Sequence, residues 1–178
     1  MNKEVEKFLK DPKSKVFFFD EGRFGLQSTI TRIWAEKGKL LEVRVKQGYE
    51  NFYSYSAVSP NSGEPFSLFL PEVNTEMMNL YLRELSKEYF DSNLLLIMDR
   101  AGWHRSNDLI IPKNIKITFL PSYSPELNPV EKLWQWLRKE VTHNNLFDTL
   151  EKLMDDLSTE YRRLTNADFS RLCHCDYL

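Results

Sequence analysis

Two short apolar runs, Val16 to Phe19 and Leu94 to Met98, each stop on an aspartate, Asp20 and Asp99. An unbroken apolar run of this length, bounded by turn formers, fits a strand buried on both faces. A carboxylate at the end of such a strand is costly to bury unless a cation or hydrogen bonds compensate it. Two such strand ends side by side make a cation site. A third apolar run, Ile115 to Leu120, leads through a turn-rich stretch to Glu131 at the start of a helical pattern. All three acids therefore stand where a buried element meets a loop.

The remaining elements read as mixed α/β. Lys15 to Asp20 predicts a central strand, with Glu21 and Gly22 opening a turn. Ile30 to Ala35 and Leu41 to Lys46 read as strands separated by Lys37, Gly38 and Lys39. Asn51 to Ser59 alternates aromatic and small residues, and the Pro60 to Gly63 turn joins it to Pro65 to Leu70. Together these predict a mainly antiparallel meander. Asn74 or Thr75 caps a helix running to Phe90 through Met77, Met78, Leu80, Tyr81, Leu82, Leu85 and Tyr89. After the strands Leu94 to Asp99 and Ile115 to Leu120, Asn128 predicts an N-cap with Pro129 at the first helical position. That puts Glu131 in the first turn, and Leu133, Trp134, Leu137 and Val141 on one face. A last amphipathic helix is expected from Phe147 to Leu164. This order gives a mixed central sheet flanked by helices, an architecture compatible with a ribonuclease H-like fold.

At 178 residues, 42% hydrophobic and 28% charged, the chain suits one domain with a continuous core. The expected division is an N-terminal segment 1–14, a domain 15–165 and a tail 166–178. The net charge of −2 gives no global attraction to nucleic acid, which argues against a broadly basic binding module. It does not argue against a nuclease, whose metal site needs clustered acids. No apolar run is long enough to span a bilayer and the N-terminus is charged, so a cytoplasmic protein without a membrane partner is expected. Cys173 and Cys175 flank His174 without further ligands nearby, and read as reduced thiols rather than a zinc site.

Asp20, Asp99 and Glu131 form a hard, oxygen-only ligand set suited to Mg2+ or Mn2+. Two such ions, roughly 4 Å apart, activate a water or a 3′-hydroxyl and stabilise the leaving oxygen during in-line attack on a phosphodiester. Without metal the clustered carboxylates repel, so neutralising Asp99 should relieve the fold. His104 is a candidate DNA contact, a residue tuning the metal site, or a hydrogen-bonded loop residue. Arg105, Lys132, Arg138 and Lys139 are candidates for a phosphate track, the alternative being a solvated helix face. Glu21 should point away from Asp20 if the strand continues, and its role is then a salt bridge or turn outside the site. Trp134 reads as core, with Trp136 facing elsewhere.

The segments VFFFDEGRF, LLLIMDRAGWH and LPSYSPELNPVEKLWQWLRKE, in this order, resemble the three catalytic blocks of the DDE insertion-sequence transposases related to mariner. The last is the most specific: Leu120, Pro121, Tyr123, Ser124, Pro125, Leu127, Asn128 and Pro129 lead into a helix carrying Glu131. The 31 residues between Asp99 and Glu131 also suit that family. The resemblance, over roughly Val16 to Glu140, implies a ribonuclease H-like fold with Asp20, Asp99 and Glu131 as catalytic metal ligands. It further implies two divalent ions, cleavage at element ends, strand transfer into TA targets and a homodimer on DNA. One departure stands at Arg100, where the family commonly has Asn. Family members also carry an N-terminal helix-turn-helix region, and only about fifteen residues precede the first strand here. That region is then expected on a separate polypeptide of a split gene, in a longer chain, or lost from an inactivated copy. The alternatives to a transposase are a ribonuclease H-like nuclease without joining activity and a non-catalytic binding or assembly module.

Overall fold

Strand β1 (Ser14–Gly25) is the spine of the chain. It pairs antiparallel with β2 (Asn51–Val58), which pairs antiparallel with β3 (Pro65–Leu70). On its other side β1 pairs parallel with β4 (Asn93–Met98), and β4 with β5 (Ile115–Phe119). The computed structural model describes residues 10–27, 50–122 and 124–175, together with Val5 and Phe8. Among these the sheet order is β3-β2-β1-β4-β5. The stretches 30–35 and 41–46, expected as strands, lie outside the described residues.

The turn expected at Glu21 and Gly22 is replaced by continuing strand. Glu21 lies opposite Tyr55 and Gly25 opposite Asn51 in the β1–β2 ladder. Gly22 is there for close approach: a Cβ on it would lie 2.8 Å from the Trp134 ring. The glycine at the β2–β3 turn does serve the turn. Gly63 has φ +67°, and its amide donates to the Ser59 carbonyl at 2.7 Å.

Alternation along β1 feeds two cores. Phe17 and Phe19 pack under α1 (Thr75–Glu88) with Met78, Tyr81, Leu82 and Leu85. Phe18 and Phe24 face the other layer, built by α2 (Val130–Leu137) and α3 (Leu150–Arg163). Asn74 caps α1, its Oδ1 accepting from the Met77 amide at 2.9 Å. Ser54 and Ser56 of β2 are buried beneath α3, where the Tyr161 hydroxyl bonds both at 3.1 and 2.9 Å. The pairing satisfies three hydroxyls that would otherwise be costly in a core.

Helix α2 is shorter than the apolar face predicts. After Leu137 the backbone widens into a π-turn over Arg138–Thr142, with the His143 amide bonded to the Arg138 carbonyl. Helix α3 begins at Leu150 rather than Phe147, because the Thr149 side chain caps the Lys152 amide. Within the stretch expected as a tail, Asn166–Leu172 forms α4, started by a Thr165–Asp168 capping box. Its Phe169 and the following Cys173 and Cys175 are buried in the α2–α3 core. No helix among the described residues is long and apolar enough to cross a membrane.

Candidate active site

The β1–β4 register brings the first two acids together. Phe18 pairs with Ile97 in parallel, and both face the α2 side, so two residues further Asp20, still within β1, and Asp99, just past the end of β4, come side by side on that face. Glu131 comes from the first turn of α2. That helix start is pinned to the sheet by Asn128, whose side-chain amide donates to the Phe19 carbonyl at 2.9 Å. Pro129 rather than Asn128 occupies the N-cap position, although Asn128 Oδ1 still accepts from the Val130 amide at 3.3 Å. All three acids line one cavity of about 500 Å3, with Asn128 and the exposed Arg100 on its wall. Among the described residues no three His, Cys, Asp or Glu side chains are gathered into a ready-made metal cage. Another cavity, of about 350 Å3 between β3 and α3, is lined by Ser67, Tyr161 and Arg162 and has no carboxylate on its wall.

The two aspartates are in different electrostatic states. Burial pushes the Asp20 carboxyl up to about 7, and the charges of Glu131 and Glu21 add to the effect. The indole N–H of Trp134, donating to Asp20 Oδ2 at 2.9 Å, works against it. Asp99 is held below the usual carboxylate range, chiefly by its hydrogen bond with His104 and also by the Ala101 amide, which donates to Oδ1 at 3.0 Å. The relief expected from neutralising Asp99 therefore belongs to Asp20.

His104 lies in a 3-10 turn, Gly102–Arg105, and is only 2% exposed. Its Nδ1 stands 2.9 Å from Asp99 Oδ1 and its Nε2 2.8 Å from Glu21 Oε1. Burial alone would lower its pKa, but the bonds to Asp99 and Glu21 outweigh this and push it up to about 9. With both nitrogens engaged inside the protein, the ring has none to offer DNA. Glu21 does face away from Asp20, and makes a salt bridge there. Sequence reasoning missed the polar role of Trp134, whose burial was legible and whose N–H was not.

The family model of the DDE superfamily endonucleases matches residues 15–154. The chain belongs to this family. It is 36% identical over 115 residues to the uncharacterized protein y4pE/y4sA of Sinorhizobium fredii, covering 64% of this chain and 85% of that protein. It is 25% identical over 144 residues to the uncharacterized 39 kDa protein of insertion element IS630 from Shigella sonnei, covering 78% of this chain and 42% of that one. Among solved structures it is similar to the Mos1 transposase paired-end complex with the left transposon end. There the TM-score is 0.73 at 16% identity, over 96% of this chain and 54% of the Mos1 chain. The fold of the chain is accordingly ribonuclease H-like, and the chain spans about half the length of Mos1 transposase.

Of the basic residues proposed for a phosphate track, Lys132, Arg138 and Lys139 do not line the acid cavity. Lys132 Nζ donates to the His174 carbonyl at 2.6 Å. The Arg138 guanidinium lies over the Phe24 ring, 5.6 Å from its centroid, and Lys139 Nζ stands 3.5 Å from Glu140. The Arg105 side chain lies outside the described residues. Arg100, noted in the sequence only as a departure from the family pattern, is the Lys or Arg that lines the cavity among the described residues.

Proposed function

We propose that this chain is the catalytic domain of a DNA transposase that cuts phosphodiester bonds at element ends and transfers the freed ends to target DNA. Asp20, Asp99 and Glu131 are its metal ligands, for two Mg2+ or Mn2+ ions. The observation that carries this reading is the arrival of the three acids, from the middle of β1, the end of the parallel β4 and a helix start, on one cavity wall. The donor set fits: all three are carboxylates, and Asp20 is a buried acid whose burial and acidic neighbours a cation would offset. Solved paired-end complexes of Mos1, a transposase of the same fold, include one with the left transposon end, one with Mn and one with Mg.

When bound, the ions would supply activation of a water or 3′-hydroxyl and stabilisation of the departing oxygen. The protein's own groups prepare the cavity for that chemistry. Trp134 donates to Oδ2 of Asp20 and so fixes the orientation of that carboxylate. His104 and the Ala101 amide occupy Oδ1 of Asp99 and leave Oδ2. Asn128 ties the start of α2 to β1 and so fixes where Glu131 enters. Arg100 offers a guanidinium to a phosphate at the rim. We place the reading of element ends in a helix-turn-helix part, on a longer protein or a separate polypeptide, and the active complex in a homodimer.

The test is cleavage of an element-end duplex in Mg2+, with strand transfer followed on the same substrate. Asp20→Asn, Asp99→Asn and Glu131→Gln should each abolish both activities. Cleavage that persists in chelator, or in any of the three variants, refutes the assignment. Cleavage without joining would favour the hydrolytic nuclease.

A further inference from the structure

We propose that Glu21 is a positioning residue of the metal site, holding His104 so that His104 holds the Asp99 carboxylate. The inference rests on the reading of Asp99 as a metal ligand. Alternate residues of a strand face opposite ways, so Asp20 and Glu21 deliver one acid to the cavity and one to the opposite face of the sheet. Glu21 is nearly closed off from solvent, its side chain 7% exposed. Its Oε1 accepts from Trp103 Nε1 at 3.0 Å and from His104 Nε2 at 2.8 Å. Both donors belong to the 3-10 turn that follows β4, so one carboxylate of β1 anchors the loop carrying Asp99.

The far side of the imidazole completes the link. His104 Nδ1 reaches Asp99 Oδ1 at 2.9 Å, beside the Ala101 amide on the same oxygen. The ring itself is fixed edge-on against Phe19, centroids 5.7 Å apart. Asp99, by contrast, has a side chain 59% exposed at the end of its strand. Solvent and rotamer freedom would let that carboxylate wander, and the buried imidazole is what selects one orientation. A buried His needs a fixed partner on its second nitrogen to hold such an orientation, and Glu21 supplies it. Glu21 is not on the cavity wall and reaches Asp99 through His104; its charge is also felt at Asp20, and Glu21→Gln, which removes that charge but keeps the oxygen, separates the two effects.

The experiment is Mn2+ binding to the full chain without DNA, read from the loss of the free-ion electron paramagnetic resonance signal, alongside thermal melting. Glu21→Ala should weaken Mn2+ binding by about tenfold or more, the size typical of outer partners of metal ligands. Glu21→Gln keeps an oxygen for His104 and Trp103 and should recover most of that loss. Glu64→Ala breaks the Lys15–Glu64 ion pair, on the same sheet but off the cavity, and should lower melting while leaving Mn2+ affinity unchanged. A purely structural Glu21 would behave like Glu64, so a lowered melting point with wild-type affinity in Glu21→Ala overturns the inference. If Glu21→Ala does not fold, Glu21→Asp, which withdraws the carboxylate by one methylene, stands in its place with the same expectation. Asp99→Ala separates the two levels. Lost binding there with intact binding in Glu21→Ala refutes the role of Glu21 alone, whereas wild-type binding in Asp99→Ala refutes the metal-ligand reading and the inference with it.

Discussion

Replacing Asp20 by Asn should stabilise the metal-free protein while destroying its activity. The carboxyl is raised from 3.8 to about 7, mainly by burial and further by Glu131 and Glu21. A group whose folded pKa is raised above its unfolded value binds a proton more tightly when folded. For an acid this means that the fold bears no penalty below pH 3.8, an increasing one between 3.8 and 7, and the full one above 7. At ~1.4 kcal/mol per pKa unit the full penalty is at most about 4 kcal/mol. Relaxation of Glu131 and water entering the cavity reduce it, and about half is a reasonable expectation for a site on a cavity wall. The Asn side chain keeps an oxygen for the Trp134 N–H, so the bond that orients the residue survives the change.

For a chain of this size about 2 kcal/mol corresponds to a rise of roughly 4–8 °C in melting temperature. The assay is thermal melting in chelator at pH 8 and pH 5. Asp20→Asn should melt higher than the wild type at pH 8, and at pH 5 the gain should be smaller by about a third or more, because there the wild-type carboxyl is substantially protonated in the fold. Added Mn2+ should raise the melting temperature of the wild type and leave the variant where it was. An equal gain at both pH values would show that ionisation of Asp20 is not the cause. A loss at pH 8 would mean that Asp20 is compensated within the protein itself and that the cavity has no need of a cation.

Asp99→Asn should abolish cleavage without that stabilisation, since His104 and the Ala101 amide hold the wild-type carboxylate in its charged form; a gain in melting temperature at pH 8 matching that of Asp20→Asn would contradict the contrast between the two acids. Gly22→Ala should cost about 1–3 kcal/mol in chemical denaturation, because the new methyl carbon meets the Trp134 ring at 2.8 Å. Unchanged stability there would mean that the ring is free to retreat. Arg100→Asn removes a cation from the acid cavity and should tighten Mn2+ binding about threefold or more at low salt, an effect that shrinks as salt screens it; weaker binding in the variant would show that Arg100 orders the acids rather than competing with metal.

The parts of this site legible in the sequence are those that depend on one element at a time. An apolar run ending in a carboxylate identifies a buried strand from local pattern, and at Asp99 its end as well, and the turn-rich lead into Val130 identifies the helix that carries Glu131. Glu21 facing away from Asp20 follows from strand alternation alone. The misreading at Gly22 shows where locality fails. Acid followed by glycine is good turn chemistry, and nothing near it reveals that the glycine is required by an indole from α2 lying on the strand. The same indole explains why Trp134 could be read as core but not as the donor to Asp20: its burial shows in the helical pattern, whereas the direction of its N–H depends on how α2 crosses β1. His104 is harder still. Its two partners come from within β1 and from just past β4, and only the parallel pairing of the two strands brings both within reach of one ring. What the sequence identifies, then, is the acids as a set. How they differ, with Asp20 raised by burial despite its one indole donor and Asp99 already paired with His104, is decided by contacts between elements far apart in the chain, and it is that difference which the paired melting and cleavage measurements resolve.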